Sequence, residues 1–589
     1  MDNQRIAQIL EEMADLSEII GDNTFKIQAY RRAAETIFRL NEPIQEVWAR
    51  GESIPGIGKG IRTLIEAITP DGESPELVRL RAEVPAELIK LTRIPGIGPK
   101  TVGRLWQALG VRTLEEVKQA AKEQKIRAIK GVGAKTEMLL LRGIEKAEMP
   151  KERWPLIEAL SISEEICARL RDYPEVKRCE VAGSIRRARE LVKDIDLVVM
   201  TEAAPAVAER LKTFPGNIEV VAWGEEKISF RYASLQPIAV DVRLFSPEQF
   251  ASGLVHFTGS KEHNVFLRQR AKEKGWKLSE YGLEDERTGE IQTFEQEEAL
   301  YAALSIPYFT PELRDTEVVG GDAFWKAATA ASLEALIKQE DIQGDLHMHT
   351  TASDGGDSIE AMARAAKKMG YRYIAVTDHS QSLKVARGLT VEQLLQHMEA
   401  IRTVEEKLSN EWGEPFYILR GAEVDILPDG TLDYPDEILE RLDLVIASVH
   451  TSFKQSNEEM TARILRAARH PFVDIIAHPT GRLIGRREAY GLDVGKLIEQ
   501  AAVSGVVLEL NSYPERLDLS PSYLRLAQEA GVQLAINTDA HHTDGLAWMA
   551  LGVKIARKAL LRPAQVINTW PPEKLFQFLA RHRKHWRKR

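Results

Sequence analysis

The sequence predicts a multidomain fold: an all-α N-terminal region, an α/β (α+β) middle, and a C-terminal barrel of seven parallel strand-and-helix units. Three observations carry that prediction. Residues 1–150 hold helix-period apolar stripes and almost no strand pattern, as in IAQILEEMADLSEII, where Ile6, Ile9, Leu10, Met13 and Leu16 share a face. From about residue 151, short strand-like runs mix with helices. Beyond residue 341, seven apolar runs each lead into a helical stretch, the pattern of a parallel sheet that closes naturally into a barrel.

A chain of 589 residues, 44% hydrophobic and 28% charged, is long enough for several folded domains with ample core. No apolar run approaches the roughly 20 residues of a spanning helix, and the opening MDNQRIAQILEEM lacks a signal-peptide core. No membrane partner and a cytoplasmic location are expected. Cys167 and Cys179 are the only cysteines, too few for a disulfide framework. The net charge of −9 argues on average against a polyanionic partner, but the average hides local basic segments. Residues 91–150 carry 12 Lys/Arg against 6 Asp/Glu, and the last nine, RHRKHWRKR, carry six Lys/Arg and no acid.

In the helical region, Ile54–Gly60, Ile94–Lys100 and Ile129–Lys135 each place a hydrophobic residue between two glycines just before a helix. The pairs are Gly56 and Gly58, Gly96 and Gly98, and Gly131 and Gly133. Glycines allow a tight turn and close approach, and the following helix N-terminus aims free N–H groups at an anion. DNA phosphate is the natural anion, and such contacts grip the backbone without reading sequence. The pattern resembles helix-hairpin-helix motifs.

In the middle, Gly183 and Ser184 precede Arg187, the strand-like run after Lys193 carries Asp194 and Asp196, and a later run carries Asp241 and Arg243. Alternation along a strand puts Asp194 and Asp196 on one face, and Asp241 and Arg243 on one face of theirs. If the strands are neighbours, three carboxylates converge, which is costly unless they bind divalent cations. Two Mg²⁺ or Mn²⁺ ions there would suit nucleotidyl transfer to a primer 3′-hydroxyl. Together with Phe257-Thr-Gly-Ser260, Asn264 and Arg268, this set resembles family X DNA polymerases. The resemblance implies that Gly183, Ser184 and Arg187 bind dNTP phosphates and that Asp194, Asp196 and Asp241 are the catalytic metal ligands. It places His256, Phe257 and Gly259 at the sugar, Asn264 at the base, and Arg243 and Arg268 on primer and template. Vertebrate members carry Tyr in place of His256, so sugar discrimination is expected to differ, and they carry Gly in place of Lys193. The family's Schiff-base lysine of the 5′-deoxyribose-phosphate lyase aligns with Leu64, which has no amine. Lys59 lies nearby and reads as solvated.

The seven C-terminal runs are Ile342–His349, Tyr373–His379, Phe416–Asp425, Leu444–His450, Phe472–His478, Val506–Asn511 and Val532–His541. Most end on a metal-ligand residue, at the strand end where a barrel of this kind carries its chemistry. Collected, they are His347, His349, Asp354, His379, Glu423, His450, His478, Asp539 and His541. Nine mixed N/O ligands exceed one ion's needs and suit two or three Mn²⁺, Zn²⁺ or Fe²⁺ ions bridged by Glu423, able to activate water for hydrolysis. His397, His470, His542, His582 and His585 lack that setting and read as structural or exposed, and Arg482 is a candidate phosphate ligand. The arrangement resembles the polymerase-and-histidinol-phosphatase (PHP) domain, a TIM-like distorted barrel, with every ligand position filled.

The expected organisation is two helix-hairpin-helix segments at 1–82 and 83–150, a nucleotidyltransferase palm at 151–245, and a dNTP-binding subdomain at 246–320. A linker at 321–340, a PHP domain at 341–575 and a basic tail at 576–589 follow. The resemblance implies a monomeric repair polymerase that fills short gaps in base excision repair, taking gapped or nicked DNA and dNTPs and associated with the nucleoid. It also implies a metal-dependent 3′–5′ exonuclease, with 3′-end processing and abasic-site cleavage. A phosphatase acting on small esters remains an alternative for the barrel, because ligands set the reaction class and not the substrate. An inert DNA-binding scaffold is a further alternative for the whole.

Overall fold

A computed structural model describes residues 3–38, 44–50, 53–54, 57–69, 74–92, 94, 97–148, 153–233, 237–316 and 320–583. The chain divides into two compact units, residues 1–151 and 152–589. The first unit is helical throughout its described residues, and the apolar stripe of Asn3–Ile20 seats Ile6, Leu10 and Met13 in a core with Leu77, Leu88 and Leu105. Helix Pro99–Leu109 packs closely enough that a Cβ on Gly103 would lie 2.5 Å from the Ile19 carbonyl oxygen.

The three glycine hairpins make the same turn: Ile57 N donates to Ile54 O at 3.1 Å, Ile97 N to Ile94 O at 2.9 Å, and Val132 N to Ile129 O at 2.9 Å. Gly58 and Gly98 are extended N-caps of helices Lys59–Glu66 and Pro99–Leu109 with no capping side chain, and Gly133 precedes helix Ala134–Glu148. A Cβ at Gly58, Gly98 or Gly133 would meet nothing within 4 Å, so these helix starts face open space. Gly131 needs its glycine for another reason, a φ of +82°. Gly56 and Gly96 lie outside the described residues. Leu64 packs against the core and Lys59 is exposed.

The second unit begins with the short antiparallel pair β1 (Trp154–Pro155) and β3 (Leu191–Val192), flanking a five-stranded palm sheet. The palm strands are β2 (Val176–Val181), β4 (Asp194–Thr201), β5 (Asn217–Trp223), β6 (Lys227–Tyr232) and β7 (Ile238–Phe245), in the order β2-β4-β7-β6-β5. β4 and β7 run parallel with Asp196 opposite Asp241, while the other pairs are antiparallel. Helices Phe250–Thr258 and Lys261–Glu273 lead to a small antiparallel sheet of β8 (Trp276–Ser279), β9 (Gly282–Asp285) and β10 (Ile291–Gln292).

The remaining strands are β11 (Gly344–Asp345), β12 (Tyr373–Val376), β13 (Tyr417–Asp425), β14 (Leu444–Ser448), β15 (Ile475–Ile476), β16 (Val507–Asn511) and β17 (Leu534–Asn537). They are all parallel and in chain order, and a parallel bridge between Met348 and Ala540 nearly closes the barrel. Inward residues such as Leu346, Leu419, Ile446 and Val507 fill it, and Trp570, Leu575 and Leu579 seal the floor. The ligand-bearing strand ends therefore open only at the opposite mouth. The C-terminal run is not a free tail as far as residue 583, because helix Pro572–Leu579 packs on the floor and buried Arg583 binds Asp474 Oδ2 at 2.6 Å. Residues 584–589, including His585, lie outside the described residues.

Candidate active sites

The palm site forms where β2 turns into the short helix Gly183–Arg186 beside β4. Gly183 has φ +58°, and a Cβ there would lie 2.0 Å from Asp196 Oδ2, so no other residue fits. One pocket of about 390 Å³ gathers Gly183, Ser184, Arg187, Asp194, Asp196, His256, Phe257, Gly259, Asn264 and Arg268, joined by Lys261. Asp241 and Arg243 project from β7 alongside it, with Asp241 3.7 Å from Lys227 Nζ and Arg243 stacked 4.6 Å from the Phe257 ring centre. Asn264 donates to the His256 carbonyl at 2.7 Å, which braces the helix joint at the pocket wall.

The carboxylates repel one another. Burial, then the charges of Asp194 and Asp241, push the Asp196 carboxyl up to about 7, and burial followed by Asp241 raises Asp194. The three do not draw their oxygens within 4.8 Å of one another as the barrel ligands do. An all-oxygen donor set with raised protonation is what a hard divalent cation would relieve. Both arginines after Ser184 are held. Arg186 binds Glu297 at 2.6 Å and Thr258 Oγ1 at 2.8 Å, while Arg187 Nε binds Asp315 at 2.8 Å and its Nη1 donates to the Thr258 carbonyl.

In the barrel, all nine expected ligands meet at the mouth. Among the described residues three groups of ligand atoms lie within 4.8 Å of one another: His349, Asp354, His379 and His541; His347, His349 and Asp539; and His379, Glu423 and His450. His478 joins through Nε2, 2.9 Å from Glu423 Oε1. Glu423 is central, its Oε2 lying 2.9 Å from His379 Nδ1 and 3.5 Å from both His347 Nε2 and His349 Nε2. His347 Nε2 and His349 Nδ1 are buried without hydrogen-bond partners, and His379 Nδ1 and Glu423 Oε2 approach each other too far out of line to bond, the condition that metal ions would satisfy.

Burial alone would lower the His379 imidazole, but Glu423 and Asp354 lift it to about 10. Burial, His379 and His541 together hold His349 at about 4. His478 and Asp539 sit in left-handed backbone with φ of +29° and +54°, strain of the kind that collects at functional sites.

The comparisons with known proteins agree with this layout. Family models match residues 1–74 as a helix-hairpin-helix domain, 88–146 as a SAM-like helix-hairpin-helix tandem, 253–315 as the DNA polymerase beta thumb, and 345–513 as a PHP domain. The DNA polymerase/3′-5′ exonuclease PolX of Bacillus subtilis (strain 168) is 42% identical over 582 residues, covering 99% of this chain and all of the relative. The chain belongs to the bacterial-type family X DNA polymerases. This family X polymerase is also similar, over 236 residues, to a probable phosphatase of Thermoanaerobacter sp. (strain X514), 31% identical over 38% of this chain and 89% of that one. Among solved structures, polymerase beta of Leishmania infantum in a ternary P/T complex is 22% identical with a TM-score of 0.26, over 39% of this chain and 99% of that one.

The family X polymerase holds several site residues that its sequence did not announce. Glu509 accepts from His347 Nδ1 at 2.8 Å and from the His478 amide at 2.8 Å, and Asp425 lies 2.6 Å from His450 Nδ1. These carboxylates orient ligand imidazoles. The signal was present in Val507–Asn511, where an acid interrupts an apolar strand. His397 is structural, 2.8 Å from Asp378, which in turn accepts from Thr350 and Ser353. Arg516 lines the barrel pocket of about 260 Å³ and lies 3.3 Å from Asp539. Arg482 is a correction. Its guanidinium is engaged by Glu190 of the palm at 2.7 Å and by the Arg516 and Leu517 carbonyls, and it does not line the barrel pocket, so it joins domains.

Proposed function

We propose that the palm catalyses templated addition of dNTPs at short gaps in DNA repair, with Asp194, Asp196 and Asp241 holding two Mg²⁺ or Mn²⁺ ions. Bound there, the ions would supply charge neutralisation for the primer oxygen and the triphosphate. The chain's own part is positioning. Ser184 and Arg187 bind the triphosphate from the Gly183 turn, His256, Phe257 and Gly259 shape the sugar pocket, Asn264 meets the base, and Arg243 and Arg268 steady primer and template. The observation that carries this reading is the parallel pairing of β4 with β7, which sets Asp196 opposite Asp241 beside the pocket holding Ser184 and Arg187. Glycine hairpins at Gly58, Gly98 and Gly133, with Gly131 shaping the third turn, would grip gapped or nicked duplex by its phosphates.

The barrel is the hydrolytic site. The nine ligands would take two or three Mn²⁺, Zn²⁺ or Fe²⁺ ions, a choice favoured by mixed imidazole and carboxylate donors. DNA 3′ ends are its substrate in this reading, giving 3′–5′ exonuclease activity with 3′-end processing and abasic-site cleavage. The fully matched Bacillus subtilis relative carries that exonuclease in its name. The likeness to a probable phosphatase favours a second reading of the barrel, hydrolysis of small phosphate esters. The protein works as a cytoplasmic, nucleoid-associated monomer, without a lyase that depends on an amine at position 64.

The test is a primer assay on gapped DNA with Mg²⁺ or Mn²⁺, run on Asp241→Ala and His349→Ala side by side. Loss of synthesis alone in the first and of degradation alone in the second is the expected result. Synthesis unchanged in Asp241→Ala would refute the palm assignment. Hydrolysis of histidinol phosphate with no release of nucleotides from a recessed 3′ end would make the barrel a phosphatase.

A further inference from the structure

One buried ion cluster links the barrel to the polymerase pocket. Helix Met549–Lys558, which follows β17, ends on Lys558, whose side chain is 4% exposed. Its ammonium donates to the Ala188 carbonyl at 2.9 Å and lies 3.3 Å from Asp315 Oδ2. The other oxygen of Asp315, whose side chain is 3% exposed, accepts from Arg187 Nε at 2.8 Å, with Arg189 3.7 Å away. Ala188 ends the turn that carries Ser184 and Arg187, and it does so in left-handed backbone with φ +52°.

Burying an ammonium is costly unless it is paired and hydrogen-bonded, and a methionine would fill the space without that cost. Lys558 does not line the barrel's metal pocket. Its two partners are instead the peptide after Arg187 and the carboxylate that orients Arg187.

We propose that Lys558 is a positioning residue for nucleotide binding: through Ala188 and Asp315, the barrel domain holds the Arg187 turn in the orientation that receives the triphosphate. Asp315 and the Thr258 carbonyl together fix the plane of the Arg187 guanidinium, and Lys558 shares the Asp315 charge that would otherwise fall on the arginines alone. Removing the lysine frees the Ala188 carbonyl and deepens the competition of Asp315 with a triphosphate. Both effects weaken nucleotide binding. The inference rests on the reading of Arg187 as a triphosphate ligand.

The experiment measures KM for the complementary dNTP and kcat on a one-nucleotide gap, with the full-length protein as wild type, Lys558→Met, Lys558→Arg, Asp315→Asn and Arg187→Ala. Mn²⁺-dependent hydrolysis of bis(p-nitrophenyl) phosphate and thermal unfolding are followed on the same preparations. Loss of a charge-assisted hydrogen bond predicts a KM about five- to tenfold higher in Lys558→Met, with kcat less affected. Lys558→Arg should recover most of the affinity, and barrel hydrolysis should stay within about twofold of wild type. A dNTP KM in folded Lys558→Met within about twofold of wild type overturns the inference, as does a parallel loss of synthesis, hydrolysis and thermal resistance. Should that variant not fold, Asp315→Asn, in which loss of the orienting carboxylate outweighs the relieved competition, should raise KM, and a KM unchanged or lowered there overturns the inference equally. If Arg187→Ala leaves KM unchanged, the reading of Arg187 fails first. If Arg187→Ala raises KM and Lys558→Met does not, only the inference fails.

Discussion

Asp196 should make metal binding at the palm depend on pH. Its carboxyl is pushed up to about 7 by burial and by the charges of Asp194 and Asp241. A divalent ion binds the carboxylate and not the acid, so below that value each ion bound must displace a proton. Affinity should therefore fall tenfold per pH unit below about 7 and be flat above it. Between about pH 8 and pH 5.5 the loss is roughly 30-fold, against almost none for a carboxyl of ordinary pKa near 4.

The assay is Mn²⁺ binding followed by electron paramagnetic resonance across that range, taking the difference between wild type and Asp194→Ala/Asp196→Ala to isolate the palm from the barrel. A change under about threefold, or an inflection below about pH 5, would refute the reasoning. The same shift has a definite sign for stability. A raised carboxyl favours the folded state below its unfolded value near 3.8, and that contribution is lost as pH climbs through about 7. Chelated protein should accordingly lose thermal resistance in the palm between about pH 5 and 8, and Mg²⁺ should restore it.

Gly183→Ala would place a methyl 2.0 Å from Asp196 Oδ2, so gap filling should fall by at least about a hundredfold while barrel hydrolysis persists. Comparable synthesis by that variant would show that the turn relaxes freely. Glu509→Gln removes the charge that orients His347, and metal retained after dialysis should reflect an affinity roughly 10- to 100-fold lower with synthesis intact. Unaltered metal content would deny Glu509 that role. Gly98→Ala and Gly133→Ala add a methyl that meets no atom within 4 Å, so each should cost at most about 1 kcal/mol of stability. Both should nonetheless weaken DNA binding several-fold in a fluorescence anisotropy titration, and unchanged binding would remove the hairpins from the phosphate interface.

The barrel site was legible because its chemistry coincides with its secondary structure. A ligand at or just beyond the end of most strands marks the mouth even before the strands are known to be neighbours, and all nine residues do meet there. The palm was half legible. Alternation in Asp194-Ile-Asp196 puts two carboxylates on one face, but Asp241 reaches them only because β7 pairs with β4 across an interval of two intervening strands. Long-range pairing of that kind has no local signature. The same limit explains Arg482, read as a candidate phosphate ligand and engaged by Glu190, and Arg583 of the basic tail, engaged by Asp474. Glu509 was hidden differently, as an acid within a strand run whose apolar neighbours dominate the pattern, and Asp425 closes its run two residues after Glu423 with nothing local to pair it with His450.

The two sites solve the problem of buried charge in opposite ways. In the palm, acids stand together, and protonation of Asp196 near 7 is the relief available to the chain without an ion. In the barrel, imidazoles are interleaved with carboxylates: His379 rises to about 10 beside Glu423 and Asp354, which fall below the ordinary carboxylate range, while burial and neighbouring imidazoles hold His349 at about 4. The barrel thus offsets buried carboxylates with neighbouring imidazoles, whereas in the palm burial and mutual repulsion raise Asp194 and Asp196. An ion held by Asp196 would displace a carboxyl proton, and one held by His379 would displace an imidazolium proton. Oxygen donors alone suit a hard cation, and mixed nitrogen and oxygen donors suit a transition metal, so the two donor sets would favour different ions. That separation also accounts for the charge of the whole. An acidic chain of net −9 can hold DNA because basic hairpin segments and bound cations, and not the overall charge, set the potential where phosphate arrives.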